Sequence, residues 1–247
     1  MKRRSFALAA AGLSLSAVSG THNAFAQAGK QAAEKSSAAA GPAQPAPSPK
    51  SAGSKEADAI VRRVQKFYDS AKSFRAEFRQ RYTIYAYNRT KDSRGTVVFQ
   101  KPGKMRWTYT NNGNVVVSDG KQIKVFEQEN RQMYLQKVDD TQYPAALSFL
   151  LGKGRLKEAF SFTKLDSKKL KFPGGYVLLG TPSTPTPAYQ KVLFYIDKRT
   201  FQVRRVLLVD AQKNRNRFDF LKPRVNEPVA PKDFQYEPPA GTNVIRP

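Results

Sequence analysis

The chain has 247 residues, with 43 Lys plus Arg, 19 Asp plus Glu, a formal net charge of +24, one His and no Cys. Without Cys there is no disulfide, thiolate nucleophile, Cys-ligated zinc or iron–sulfur cluster, and no acylated Cys, so the chain is not expected to be a lipoprotein itself. Its only His, His22, falls in the leader read below, so the mature protein is expected to lack His general bases and to carry neither a metal site nor a cofactor.

The chain opens with a basic patch, Lys2-Arg3-Arg4, and an apolar stretch from Phe6 to Val18. Ala24-Phe25-Ala26 follows, with small residues placed for a cut before Gln27. Residues 1–26 therefore read as a secretory signal peptide, and the apolar run is too short for the roughly 20 residues a membrane span needs. Arg3-Arg4-Ser5-Phe6-Ala7-Leu8 also resembles a twin-arginine signal, which leaves the export route open. Residues 27–56 are mostly Ala, Pro, Ser, Gly and Lys, without apolar periodicity, and read as a disordered linker. Three of the 24 excess charges lie in the leader and one in residues 27–58, leaving +20 on residues 59–247. The expected mature product is one exported, strongly basic domain spanning residues 57–247.

That domain begins with a helix. Ile60, Val61, Val64, Phe67 and Tyr68 form an apolar stripe at helical spacing among basic residues. The period then drops to two. From Phe74 to Ile84 one face carries Phe74, Ala76, Phe78, Tyr82 and Ile84, interrupted by Gln80, and the other carries Arg75, Glu77, Arg79 and Arg81. Further strands are predicted at 95–100, 105–109, 114–117, 123–126 and 131–135. Lys101-Pro102-Gly103-Lys104 and Ser118-Asp119-Gly120-Lys121 read as turns between strands. Tyr143 to Gly152, with Pro144 near the start and an apolar middle, reads as a short helix. Strands resume at 159–165, 175–180, 191–197, 202–210 and 217–221, and the Pro238-Pro239-Ala240-Gly241-Thr242 tail reads as a turn.

The fold expected is mostly β (α+β): a single, unclosed antiparallel barrel of about eleven strands, with a few helices as a lid over its concave apolar face. Helices this few cannot cover the outside of such a sheet, but they can cover the inside. The dry faces carry large adaptable side chains, among them Phe78, Phe99, Met105, Trp107 and Tyr109. Alone, these fit either an ordinary β core or a lined cavity for an apolar ligand.

Four segments then occur in a telling order. They are Phe74-x-Ala-x-Phe78-x-Gln80, Lys101-Pro102-Gly103-Lys104-Met105-Arg106-Trp107-x-Tyr109, Val117-Ser118-Asp119-Gly120-Lys121 and Phe234-x-Tyr236-x-Pro238-Pro239-x-Gly241-Thr242. The series resembles the LolA family of periplasmic carriers of outer-membrane lipoproteins, from about Ala57 to Ile245. The resemblance implies an eleven-stranded open barrel that holds acyl chains under a helical lid, without covalent chemistry. It implies cargo received from an inner-membrane ABC-type transporter and passed to an outer-membrane receptor or to the outer membrane directly. By strand alternation, the expected acyl-chain site is Phe78, Phe99, Met105, Trp107 and Tyr109, with Leu147 and Leu150 from the 143–152 helix. The family often has an Arg before the Pro-Gly turn that bonds the lid. Lys101 stands there in this chain and is a latch candidate that lacks the planar fork of Arg. Arg106 is the second latch candidate, although as neighbour of Met105 it should point to the opposite face.

Other readings stay open at this point. A +20 domain rich in aromatics would suit nucleic acid, but an export signal and dispersed basic residues argue against that partner. Asp139-Asp140, or Asp166 with Lys168, would be the acid/base pairs of an enzyme, although such pairs mostly belong to turns. A carrier of another lipid and an envelope lipid sensor share the expected fold. The carrier is expected to be monomeric.

Overall fold

In the computed structural model, which describes residues 52–138 and 154–246, a helix precedes a run of twelve strands. Helix α1 (Ala52–Ser70) buries Ala57, Ile60, Val61, Val64 and Tyr68 and exposes Arg62, Arg63 and Lys66. It starts inside the stretch read as linker, ahead of Ala57. Tertiary pairing explains this: Glu56 meets Lys164 at 2.5 Å and Asp58 meets Lys157 at 3.2 Å, in a segment whose own composition is poor in apolar residues.

Strands β1 (Ser73–Ile84) and β2 (Arg89–Gln100) form one long hairpin, paired from Ser73↔Gln100 to Ile84↔Arg89. It turns through a 3-10 turn, Tyr85–Tyr87, and Asn88 in the left-handed region at φ 46°. Then come β3 (Lys104–Tyr109), β4 (Val115–Asp119), β5 (Gln122–Glu127) and β6 (Gln132–Lys137). The turn from β4 to β5 is fixed by Asp119, whose carboxylate accepts from the backbone N–H of Lys121 and Gln122, both at 2.8 Å. Ser118 Oγ donates to the Gly103 carbonyl at 3.2 Å, so this turn is stitched to the Pro102-Gly103 turn.

A one-turn helix, α2 (Leu156–Ala159), leads into β7 (Phe160–Leu165), followed by β8 (Gly175–Pro182), β9 (Lys191–Asp197), β10 (Val203–Val209) and β11 (Arg215–Val225). A 3-10 turn at Pro231–Phe234 and a short β12 (Asn243–Ile245) end the chain.

All twelve strands join one sheet in the order β12-β6-β5-β4-β3-β2-β1-β11-β10-β9-β8-β7. Neighbours are antiparallel except β12, which runs parallel to β6. The edge strands β12 and β7 do not pair with each other, so the barrel stays open. This is the expected architecture with one strand more than expected. The extra strand, β12, follows the Pro238–Thr242 turn and is too short to show a period. The predicted helix at 143–152, with Leu147 and Leu150, lies outside the described residues, as do Asp139 and Asp140.

The sheet buries both faces in different ways. The inner face and α1 share the main core. On the outer face a second cluster, Val98, Val115, Val117, Phe126, Met133 and Phe234, lies under the C-terminal segment. That segment is tied down by polar contacts. Lys124 Nζ donates to the Tyr236 carbonyl at 2.9 Å, and Arg131 donates to the Ala240 carbonyl at 2.7 Å.

Candidate functional site

The inner-face residues singled out from the sequence meet. Phe78, Phe99, Met105, Trp107 and Tyr109 are all buried in the main core. Strand pairing sets them side by side: Phe99 lies opposite Met105 and Val97 opposite Trp107, while Phe78 and Tyr109 flank Gly95 from either neighbouring strand. Because Gly95 has no side chain, the rings of Phe78 and Tyr109 close over it in a T-shaped contact, 5.0 Å between centroids.

Trp107 is the hub of this face. Its ring packs edge-on against Phe78 at 4.9 Å, Phe218 at 5.4 Å and Phe99 at 5.8 Å, and is tilted against Phe220 at 6.2 Å. Edge-to-face contacts of this kind add to the area term for burial. Phe218 and Phe220 come from β11, across β1, so the aromatic face spans several strands. Met105, with no exposed surface, supplies a flexible thioether beside it.

The apolar stripe of α1 joins the same core, with the helix set against β7 and α2, and its C-terminal turn is where the polar contacts concentrate. The last four carbonyls of any helix lack intrahelical partners. Lys101 Nζ donates to two carbonyls of the final turn, those of Tyr68 and Asp69, the latter at 3.3 Å. Partial burial holds the Lys101 ammonium below the ordinary lysine range, and nearby Asp69 opposes the shift. On the other side, the Tyr68 hydroxyl accepts from the Val203 N–H at 3.1 Å, and burial pushes its pKa up. Further up the helix, Gln65 Oε1 accepts from the Leu156 N–H at 2.9 Å, which ties α1 to α2. The helix is thus seated by a dry stripe and held by a few polar contacts.

Lys101 therefore sits where a latch on α1 would sit. Arg106 does not. It faces outward and donates to the backbone carbonyls of Gln235 at 3.0 Å and Asp233 at 3.3 Å, with its guanidinium 5.7 Å from the Tyr236 ring centroid. This corrects its candidacy as a lid latch: alternation along β3 sends it to the outer face, where it clasps the C-terminal segment. The candidate pair Asp166 and Lys168 forms a turn, in which Asp166 accepts from the Lys168 backbone N–H at 2.9 Å. The stripe of Ile60, Val61, Val64 and Tyr68, read from the sequence as one face of the opening helix, is the face that α1 buries in this core.

Lys101→Met is expected to free the last turn of α1 while keeping the fold. Amide hydrogen exchange in residues 66–70 should rise about tenfold or more, because two carbonyls lose a charged donor worth about 1.5–3 kcal/mol. Unchanged protection there would show that the apolar stripe alone seats the helix.

Residues 69–237 match the family model of the outer membrane lipoprotein carrier protein LolA. An outer-membrane lipoprotein carrier protein from Nitrosomonas europaea is 24% identical over 188 residues, covering 75% of this chain and 88% of its own. One from Bordetella pertussis is 30% identical over 155 residues, covering 62% and 70%. A solved structure of a LolA superfamily protein from Nitrosomonas europaea overlays 73% of this chain and 97% of its own at 14% identity, with a TM-score of 0.42. The family match runs from the end of α1, across the aromatic face, to the segment clasped by Arg106, and this chain belongs to the LolA family.

Proposed function

We propose that this protein is a periplasmic carrier, exported by a leader cut before Gln27, that holds lipoprotein acyl chains non-covalently between its aromatic face and α1. The cargo is received from an ABC-type transporter in the inner membrane. It is handed to an outer-membrane receptor or to the outer membrane itself. The observation that carries this reading is the continuous dry face centred on Trp107, whose core also takes in the apolar stripe of a helix of the same chain.

The energies suit an exchange. An acyl chain in water costs about 0.8 kcal/mol per CH₂, on the order of 10 kcal/mol for one chain. Lifting α1 exposes Ile60, Val61, Val64 and Tyr68, at about 1.5–3 kcal/mol each, which is again on the order of 10 kcal/mol. Helix and acyl chain are therefore comparable occupants of one surface. Neither is held so tightly that the other cannot displace it, as a carrier that must also release its cargo requires. Aromatic and thioether contacts impose little shape on a ligand, which suits chains of variable length.

The test is a release assay. Spheroplasts bearing radiolabelled lipoproteins are incubated with the purified exported chain, and the soluble fraction is resolved by size. A soluble one-to-one complex of lipoprotein and carrier is the expected result. No release, from spheroplasts in which a known carrier does release lipoprotein, would sink the proposal and move the function to another lipid.

A further inference from the structure

The largest exposed apolar groups among the described residues lie far from the aromatic face. Tyr85 and Tyr87, 55% and 72% exposed, form the tip of the β1–β2 hairpin. The tip is braced by the turn between β10 and β11: Asn214 Oδ1 accepts from the Tyr85 N–H at 2.9 Å, and Lys213 Nζ lies 5.4 Å from the Tyr85 ring centroid. Asp210 in turn accepts from Asn214 through its backbone at 2.8 Å and its side chain at 2.9 Å. Two exposed tyrosines are thus presented on a built support and not on a loose loop.

Just behind the tip, the outer face of β1, β2 and β11 forms an open cleft of about 550 Å³, with Arg79, Arg81, Arg94 and Arg217 in its lining. Its two carboxylates are already engaged. Asp92 is held by Arg81 at 2.8 and 3.1 Å, a contact that pulls its pKa down. Asp219 is held by Arg205 at 2.5 Å and Arg217 at 2.6 Å. Arg79 and Arg94 are left over. They stand directly opposite each other across the β1–β2 pair, exposed, and neither forms an ion pair among the described residues. Like charges placed directly opposite destabilise a sheet. Residues 79–94 hold five cations and one carboxylate, and residues 210–219 hold three and two. This end of the molecule is locally cationic as well as aromatic-tipped.

Tyrosine rings with an apolar body and a polar tip favour the headgroup level of a bilayer, and clustered cations favour anionic lipids. We propose that this end of the sheet docks the carrier on an anionic phospholipid surface. Tyr85 and Tyr87 enter the headgroup layer, and Arg79 and Arg94 lie over lipid phosphates. The docking deepens the carrier reading, yet it is tested without any lipoprotein, so each can fail without the other.

The experiment is flotation of the purified exported chain with vesicles of phosphatidylglycerol mixed with phosphatidylcholine, or of phosphatidylcholine alone. Binding is expected only to the anionic vesicles, and it should weaken steeply as salt rises. Arg79→Glu with Arg94→Glu should lower it roughly tenfold or more. Arg79→Lys with Arg94→Lys should keep it within about threefold, because a diffuse anionic surface needs charge and not a planar fork. A Tyr87→Trp variant should show emission that shifts to the blue on the anionic vesicles, and Tyr85→Ser with Tyr87→Ser should weaken binding several-fold. All these side chains are exposed, and unchanged thermal melting would verify the folds. Failure to float with anionic vesicles, or floating unchanged by the Glu pair, overturns the proposal. Displacement by millimolar inorganic phosphate, with loss of binding in the Lys pair, would instead mark a discrete phosphate site and equally overturn it.

Discussion

Trp107→Ala is expected to lower the free energy of unfolding by about 3–5 kcal/mol, the usual cost of removing a large buried aromatic side chain. The reason for placing it at the upper end is geometric. Four rings pack on Trp107 from three strands, β1, β2 and β11, and each loses a partner at once. The surrounding strands are paired on both sides and cannot collapse into the space, so the cavity persists. Trp107→Phe should recover roughly half of the loss, since it keeps an aromatic ring but leaves part of the volume empty. Urea unfolding followed by far-ultraviolet circular dichroism is the measurement, because Trp107 is the only Trp and cannot report its own removal. A loss below about 1 kcal/mol would contradict a packed aromatic hub.

Gly95→Ala should be comparably severe although it adds a single methyl group. A Cβ at position 95 would lie 1.8 Å from the Thr108 carbonyl oxygen and 2.9 Å from the Phe78 ring. The first is backbone in the paired strand and cannot give way without breaking the β2–β3 register. Overpacking commonly costs about 1–3 kcal/mol, and a clash against backbone belongs at or above the top of that range. The same methyl would part Phe78 from Tyr109. Gly95→Val is expected to give no soluble protein. The useful contrast is Gly174, at φ +78° with open space around it: Gly174→Asn should cost less than about 1 kcal/mol, since Asn tolerates that conformation. Denaturation midpoints for the pair separate crowding from backbone conformation. Equal small effects at both positions would refute the close approach at Gly95.

The aromatic face could be read from the sequence because strand alternation is strict there. From Gly95 to Tyr109 the β2–β3 register runs without a bulge around the Pro102-Gly103 turn, so Phe99, Met105, Trp107 and Tyr109 stay on one side. Arg106 was correctly expected to face away from Met105, and its partner was not foreseeable because Gln235 lies far along the chain. The first half of β2, Arg89–Arg94, carries no apolar alternation, since that end of the hairpin is exposed on both faces. It is held by pairing with β1 and not by burial, and such a strand leaves no hydrophobic signature. β12 stayed hidden for a related reason: its three residues are positioned by Arg131, which contacts the preceding turn, and not by a pattern of their own. For α1 the stripe was visible, but which surface it covers is a tertiary fact.

The C-terminal segment gives the molecule a mechanical asymmetry. Where it crosses β3 to β6, the sheet has a packed layer on its outer side, anchored by Arg106 and Lys124, as well as the main core on its inner side. That wall is a laminate and resists bending. Toward β9 and β10 the outer covering is thinner: Phe172 packs on Tyr195, next to the Arg205–Asp219–Arg217 fork. Ion pairs and single rings accommodate strand sliding more readily than a close-packed layer does. Strain on the sheet would fall first on the compliant wall, while the rigid one keeps the Trp107 cluster in shape. The sheet is thus a cup with one stiff side and one yielding side.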